Sequence, residues 1–187
     1  MNKNEARLST LIERISRLGR GLEQATDLHP AQWAVLRYLG QANQFSRSPK
    51  ALTQYMGSTK GTVSQTIIAL EKKGLLKKTE SSTDARSTNI ELTETGEKVL
   101  ETDPLLTLER KLNAGDKSNE QLTAELESML YHLISENGGR MFGQCNTCKY
   151  FRKNYNSTNV SPHQCGLLDV SLSAIDSEEI CVEHELS

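Results

Sequence analysis

Residues 59–96 read TKGTVSQTIIALEKKGLLKKTESSTDARSTNIELTETG. Val63, Ile67 and Leu70 recur at helical spacing, so a helix is expected over about 59–73, capped by Ser58 or Thr59 and stopped by Gly74. If those three face a core, Lys60, Thr62, Ser64, Gln65 and Thr66 lie on exposed faces. Beyond Gly74 the pattern changes to that of strands, 75–79 and 88–92. Ser, Thr and Asp make a polar hairpin tip between them, with Arg86 near it.

The preceding residues extend the pattern. Ser48 before Pro49 is placed to cap a short helix carrying Leu52, Tyr55 and Met56, which Gly57 ends. Two helices then meet across a tight glycine-bearing turn, the second with a polar face: the arrangement of a helix-turn-helix. A two-stranded hairpin directly after the second helix is a wing.

Further upstream, residues 5–26 carry Leu8, Leu11, Ile12, Ile15, Leu18 and Leu22 on one helical stripe. Pro30 is placed to begin a helix over 31–41 that turns Trp33, Leu36 and Leu39 inward, and 43–47 is a polar connection. Downstream, residues 95–113 resume a helical pattern that Pro104 should kink or split. Ser118-Asn119-Glu120-Gln121 fits a capping box opening a helix to about Glu136, with Leu122, Leu126, Met129, Leu130 and Leu133 on one side. Gly138-Gly139 closes it and marks a boundary. The expected fold is mainly α with a two-stranded β wing. It comprises a winged helix-turn-helix with a helical dimerisation region over 1–137 and a small Cys-rich metal module over 138–187.

At 187 residues and a net charge of −2, the chain has room for one ordinary domain and a small appendage. No apolar run approaches the roughly 20 residues of a membrane span, and the N-terminus lacks the apolar block of a signal peptide, so a cytoplasmic location is expected. Residues 47–86 hold eight basic side chains against three acidic ones. Such a block in an acidic protein is a footprint for a polyanion, or else a solvated lysine-rich face.

The same stretch resembles the winged-helix core of the multiple-antibiotic-resistance regulator (MarR) family. The matching pieces are TVS at 62–64, LEKKGLL at 70–76, DAR at 84–86 and LTETG at 92–96. With its helical flanks the likeness reaches over about 5–136. It implies a homodimer whose first and last helices interlock, with recognition helices in successive major grooves of a near-palindromic double-stranded DNA site. Carried onto this chain, Ser58, Thr59, Lys60, Thr62, Ser64, Gln65 and Thr66 are the candidate groove residues and Arg86 the minor-groove contact of the wing. An arginine suits a narrow, electronegative minor groove, and Lys60 and Gln65 can donate to base edges or phosphates. Family members are often switched by phenolic ligands or by reactive cysteines, and here residues 1–137 hold no cysteine.

All four cysteines lie in the tail, at Cys145, Cys148, Cys165 and Cys181. In a reducing compartment they suit metal ligation or redox chemistry better than structural disulfides. Four thiolates can hold zinc or an iron–sulfur cluster, and a dithiol–disulfide switch is the third reading. Zinc ribbons offer two Cys-x2-Cys knuckles and this tail has one. One knuckle followed by two distant single cysteines resembles the ligand spacing of high-potential iron–sulfur proteins and of small cluster-bearing subunits of some radical enzymes. That likeness implies a 4Fe-4S cluster, with 2Fe-2S or zinc as alternatives. His163 and His184 flank ligands and are read as supporting groups. The tail follows the helix assigned to the dimer interface and is expected to brace it.

The sequence shows no nucleophile–base pattern, phosphate loop or carboxylate dyad, so no catalysis is expected. The expected function is transcriptional regulation, with operator binding controlled by the cluster as a redox, oxygen or iron sensor. One rival keeps the DNA-binding regulator, with structural zinc and a small-molecule signal. The other is an electron-transfer or redox subunit that uses the winged helix as an interaction module.

Overall fold

The computed structural model describes residues 3–80, 88–113, 119–157 and 160–186. Helix α1 (Lys3–Gln24) leads into α2 (Pro30–Gln41), then α3 (Pro49–Tyr55) and α4 (Lys60–Lys72). Pro30 starts α2 as expected, and Gln32 turns back to accept the His29 N–H at 3.1 Å. The Ser48 hydroxyl accepts the Ala51 N–H at 3.1 Å and caps α3. Of the two candidate caps for α4, Thr59 serves, accepting the Thr62 N–H at 3.2 Å. Gly74 follows α4 with φ +70°.

Strand β1 (Leu76–Glu80) pairs antiparallel with β2 (Thr88–Leu92), Leu76 opposite Leu92 and Lys78 opposite Ile90. The hairpin is therefore the expected wing, while its tip, with Arg86, lies outside the described residues. The LTETG motif fastens the wing's far end. Thr93 caps the next helix by accepting the Gly96 N–H at 3.1 Å and donates its hydroxyl to Gly74 O at 2.7 Å. A Cβ at Gly96 would stand 2.2 Å from Leu75 O, so this crossing admits glycine alone.

The core gathers around α2. Trp33, Leu36 and Leu39 are buried as their spacing predicts, and so are Val35 and Tyr38. A helix covered on so much of its circumference is a central element. Leu52 from α3, Val63, Ile67 and Leu70 from α4, and Leu76 and Ile90 from the wing complete the cluster.

Pro104 splits the next helical segment into α5 (Glu94–Glu101) and α6 (Pro104–Asn113). Asp103, fully buried at the break, accepts the Leu105 N–H at 2.8 Å and so caps α6. It also pairs with Arg37 of α2, whose other nitrogen donates to Glu23 of α1 at 2.5 Å. These charges tie three helical segments together beneath the surface.

Helix α7 (Glu120–Glu136) begins at Asn119 without a side-chain capping bond, and Ser118 of the expected capping box lies outside the described residues. Its Leu122, Leu126, Leu130 and Leu133 are exposed, as are Leu8, Ile15 and Leu18 of α1 (the last three 58–67% exposed). Among the described residues no helix is long and apolar enough to cross a membrane.

The tail is a unit of short strands. β3 (Gly143–Gln144) pairs with β7 (Ile180–Cys181), and β4 (Phe151–Arg152), β5 (His163–Cys165) and β6 (Val170–Leu172) form an antiparallel three-stranded sheet. Helix α8 (Ala174–Glu178) is capped by Ser173, which exchanges hydrogen bonds with Asp176. The tail does not chiefly brace α7. Among the described residues its lead-in passes there, where Met141 and Phe142 join Tyr55, Leu130 and Leu133 around a cavity of about 630 Å³. The unit itself rests on residues 42–47, the connection between α2 and α3. Polar groups of this connection find their partners in the tail.

Candidate nucleic-acid interface and four-cysteine site

Helix α4 presents Lys60, Thr62, Ser64 and Gln65 exposed, with Thr59 exposed at its cap and Ser58 and Thr66 half-buried. Three of these hydroxyls are engaged within the helix. Thr59 and Thr62 bond each other at 2.9 Å, and Thr66 donates to Thr62 O at 3.0 Å. Lys60, Ser64 and Gln65 therefore carry most of the polar reach of this face. Beside it Lys50, Lys60 and Lys78 line one cleft of about 390 Å³ between α3, α4 and the wing. Lysines along one cleft attract a polyanion. The basic block is partly neutralised, with Lys78 of this cleft paired to Glu71, Lys77 to Glu91 and Arg47 to Glu179.

The four cysteines, up to 36 positions apart in sequence, come together. All four line one small cavity with Tyr150, Phe151, Leu172 and Glu183. A 3-10 turn over Cys145–Thr147 carries the first sulfur, and Cys148 N donates to Cys145 O at 3.0 Å, so the knuckle turns both side chains to one side. Cys165 sits on β5 opposite Phe151, and Cys181 on β7 opposite Gly143. All four are free thiols. Phe45, Phe151, Val170 and Leu172 supply the apolar shell. The space enclosed is about 10 Å³, about the room of one water. Among the described residues no group of three or more His, Cys, Asp or Glu side chains is placed to hold a metal ion.

A hydrogen bond joining Cys145 and Cys181 raises the Cys145 thiol, with burial adding to the rise. The same bond holds Cys181 below its usual range, helped by the Glu183 backbone N–H. Asn43 donates to Cys145 Sγ at 3.4 Å. Sulfurs that receive hydrogen bonds inside an apolar shell are the setting in which proteins adjust thiolate-bound metal centres. The histidines stand apart from the cavity. His163 accepts the Asn154 N–H at 3.1 Å and packs on Phe151, and His184 bonds Thr147 Oγ1 at 3.0 Å.

Residues 42–47 give the sequence no functional signal, yet several of them bond to the tail. Asn43 and Ser46 are fully buried. Asn43 N donates to Ile180 O at 3.0 Å, and Val182 N donates to Ser46 Oγ at 2.9 Å. Tyr38 donates its hydroxyl to Ser46 O at 2.6 Å. Arg47 O accepts the Ile90 N–H of the wing at 2.7 Å.

The fold defines a winged helix-turn-helix with an appended four-cysteine unit, and comparison with known proteins agrees on the first part. Residues 26–87 match the model of the MarR family. MepR of S. aureus in its DNA-binding conformation is 29% identical with a TM-score of 0.57, the match covering 67% of this chain and 98% of that one. The S. aureus MepR–DNA complex gives 28% and 0.53, covering 66% and 96%. CouR from Rhodococcus jostii RHA1 bound to p-coumaroyl-CoA shares the fold at 18% identity and a TM-score of 0.54, covering 67% and 90%. In each case about a third of this chain lies outside the match. No curated protein matches the chain.

Proposed function

We propose that this chain is a homodimeric winged-helix regulator of transcription. It binds a near-palindromic DNA duplex and takes its signal from an iron–sulfur cluster held by Cys145, Cys148, Cys165 and Cys181. The DNA-binding half rests on the exposed polar face of α4 beside three lysines, on the MarR match, and on the similarity to a MepR–DNA complex. Lys60, Ser64 and Gln65 are the groove contacts and Arg86 the wing contact; Ser58, Thr59 and Thr62 shape the start of the helix, and Thr66 lies half-buried further along it. Replacing Arg86 by Ala is expected to weaken binding to the selected duplex by about 1–3 kcal/mol, and affinity should fall steeply with salt. A gel-shift titration showing unchanged affinity would remove the wing from this interface.

The dimer rests on the leucine stripes that α1 and α7 leave exposed, which are paired across a twofold axis. Light scattering at micromolar concentration is expected to give twice the 20.8 kDa chain mass; the monomer mass would refute it.

One observation carries the sensing half: four thiols from three separate segments line a single apolar cavity. When bound, a cluster supplies a one-electron, oxygen-labile centre, and the chain's own part is to ligate it, shield it with Phe151 and Leu172, and hydrogen-bond its sulfurs. The small volume of the cavity favours a second reading, a structural zinc ion. Metal and acid-labile sulfide per chain in anaerobically purified protein separate the two. Brown protein with iron and sulfide supports the cluster, and colourless protein with one zinc per chain ends it.

A further inference from the structure

We propose that residues 42–47 transmit the state of the sulfur site to the helix-turn-helix, with Asn43 as the positioning residue. This rests on the reading that the four cysteines hold a metal centre. The amide of Asn43 bridges two environments. Its Nδ2 donates to Cys145 Sγ at 3.4 Å, and its Oδ1 accepts the Ser46 hydroxyl at 2.8 Å. Ser46 Oγ in turn accepts the Val182 N–H. An unbroken hydrogen-bonded chain thus runs from a ligand sulfur through Asn43 to the Ser46 side chain, two residues before the α3 cap, and on to the tail backbone at Val182.

Each link is buried, so none can be replaced by water without cost. A metal-bound Cys145 is a thiolate, a full acceptor for the Asn43 N–H. With the site emptied, the tail has little core of its own to hold Cys145 and Val182 in place. As these two draw away, Asn43 and Ser46 lose their partners in the tail. The connection that loses these bonds ends at Ser48, which caps α3, and at Arg47, whose carbonyl holds Ile90 of the wing. The change therefore falls on the placement of α3 against the wing, the geometry that aims α4. Two rigid elements flank a short segment whose partners change, the arrangement that makes a hinge.

The test uses the full chain, purified anaerobically, in loaded and chelator-stripped forms, with Asn43→Leu beside the wild type. Leucine keeps the shape and removes both hydrogen-bonding groups. Amide exchange is followed across 42–57 and at Ile90, with α5 as the internal control, and the reduction potential is measured in loaded protein. Stripping the wild type is expected to speed exchange by about tenfold or more in 42–57 and at Ile90 while α5 is unchanged. Loaded Asn43→Leu is expected to show the fast pattern while keeping its metal and sulfide. Its potential should be lower than the wild type's, because an N–H bond to a ligand sulfur favours the reduced state. Should Asn43→Leu fail to fold, the wild-type comparison decides alone. Loaded protein whose exchange does not respond to stripping, or a loaded variant indistinguishable from wild type, overturns the coupling and leaves the metal site standing. Protein that binds neither iron nor zinc overturns both.

Discussion

Replacing Asp103 by Ala is expected to cost about 3–5 kcal/mol of folding stability, the range for removing one partner of a buried ion pair. Asp103 is fully buried, Arg37 is its partner, and Glu23 holds the other side of the same guanidinium. The substitution leaves Arg37 with one carboxylate in a setting built for two and removes the acceptor that caps α6. For a chain of this size the melting temperature should drop by about 6–20 °C. Asp103→Asn, which retains an oxygen for the cap, should lie between the two. Urea unfolding of the variants checks the expectation; a loss below about 1 kcal/mol for Asp103→Ala would mean that the pair contributes little.

The second large effect belongs to the tail. Under the proposed metal site, replacing Cys181 by Ser should remove essentially all bound metal and sulfide and unfold residues 138–186, with helices α1–α7 still folded. Thiolate-bound metal contributes on the order of 10 kcal/mol to small units of this kind. The tail has little to substitute for it. Among the described residues, and apart from two of the cysteines, its buried apolar side chains are Leu172 and Val182, the latter packed into the winged-helix core, with Phe151 and Val170 half-covered. Limited trypsin digestion reads the outcome, because Lys149, Arg152 and Lys153 follow the knuckle directly. The wild type loaded with metal should resist cleavage there, and the variant should be cut while the rest of the chain persists. Equal resistance would show that the strands hold without a metal.

The winged helix could be read from residues with period. Val63, Ile67 and Leu70 announced α4, Gly74 its end, and Pro104 the split between α5 and α6, because each acts through local geometry that spacing records. The cysteines could be named for the same reason, since thiols in one short stretch are few and conspicuous. What the sequence did not show was where the tail would dock. Asn43 and Ser46 sit in a stretch whose composition is that of any solvent-facing loop, and their burial depends on Ile180 and Val182, well over a hundred residues away. A side chain whose role is fixed by so distant a partner leaves no periodic trace. Val35 and Tyr38 were missed similarly: α2 is covered on sides that a single stripe does not anticipate.

The hydrogen bond between Ser46 and Val182 spans 136 positions. At about 5–20 residues per second, synthesis takes on the order of ten seconds to make the second partner after the first. Helices α1–α7 and the wing have emerged by then and can fold on local contacts. A newborn molecule therefore passes through a period with a formed reading head and an open connection beneath it. It starts life in the metal-free condition, and under the proposed coupling it leaves that condition only as fast as its thiols are loaded. Its response in a growing cell would then follow the supply of metal to fresh chains as well as damage to old ones.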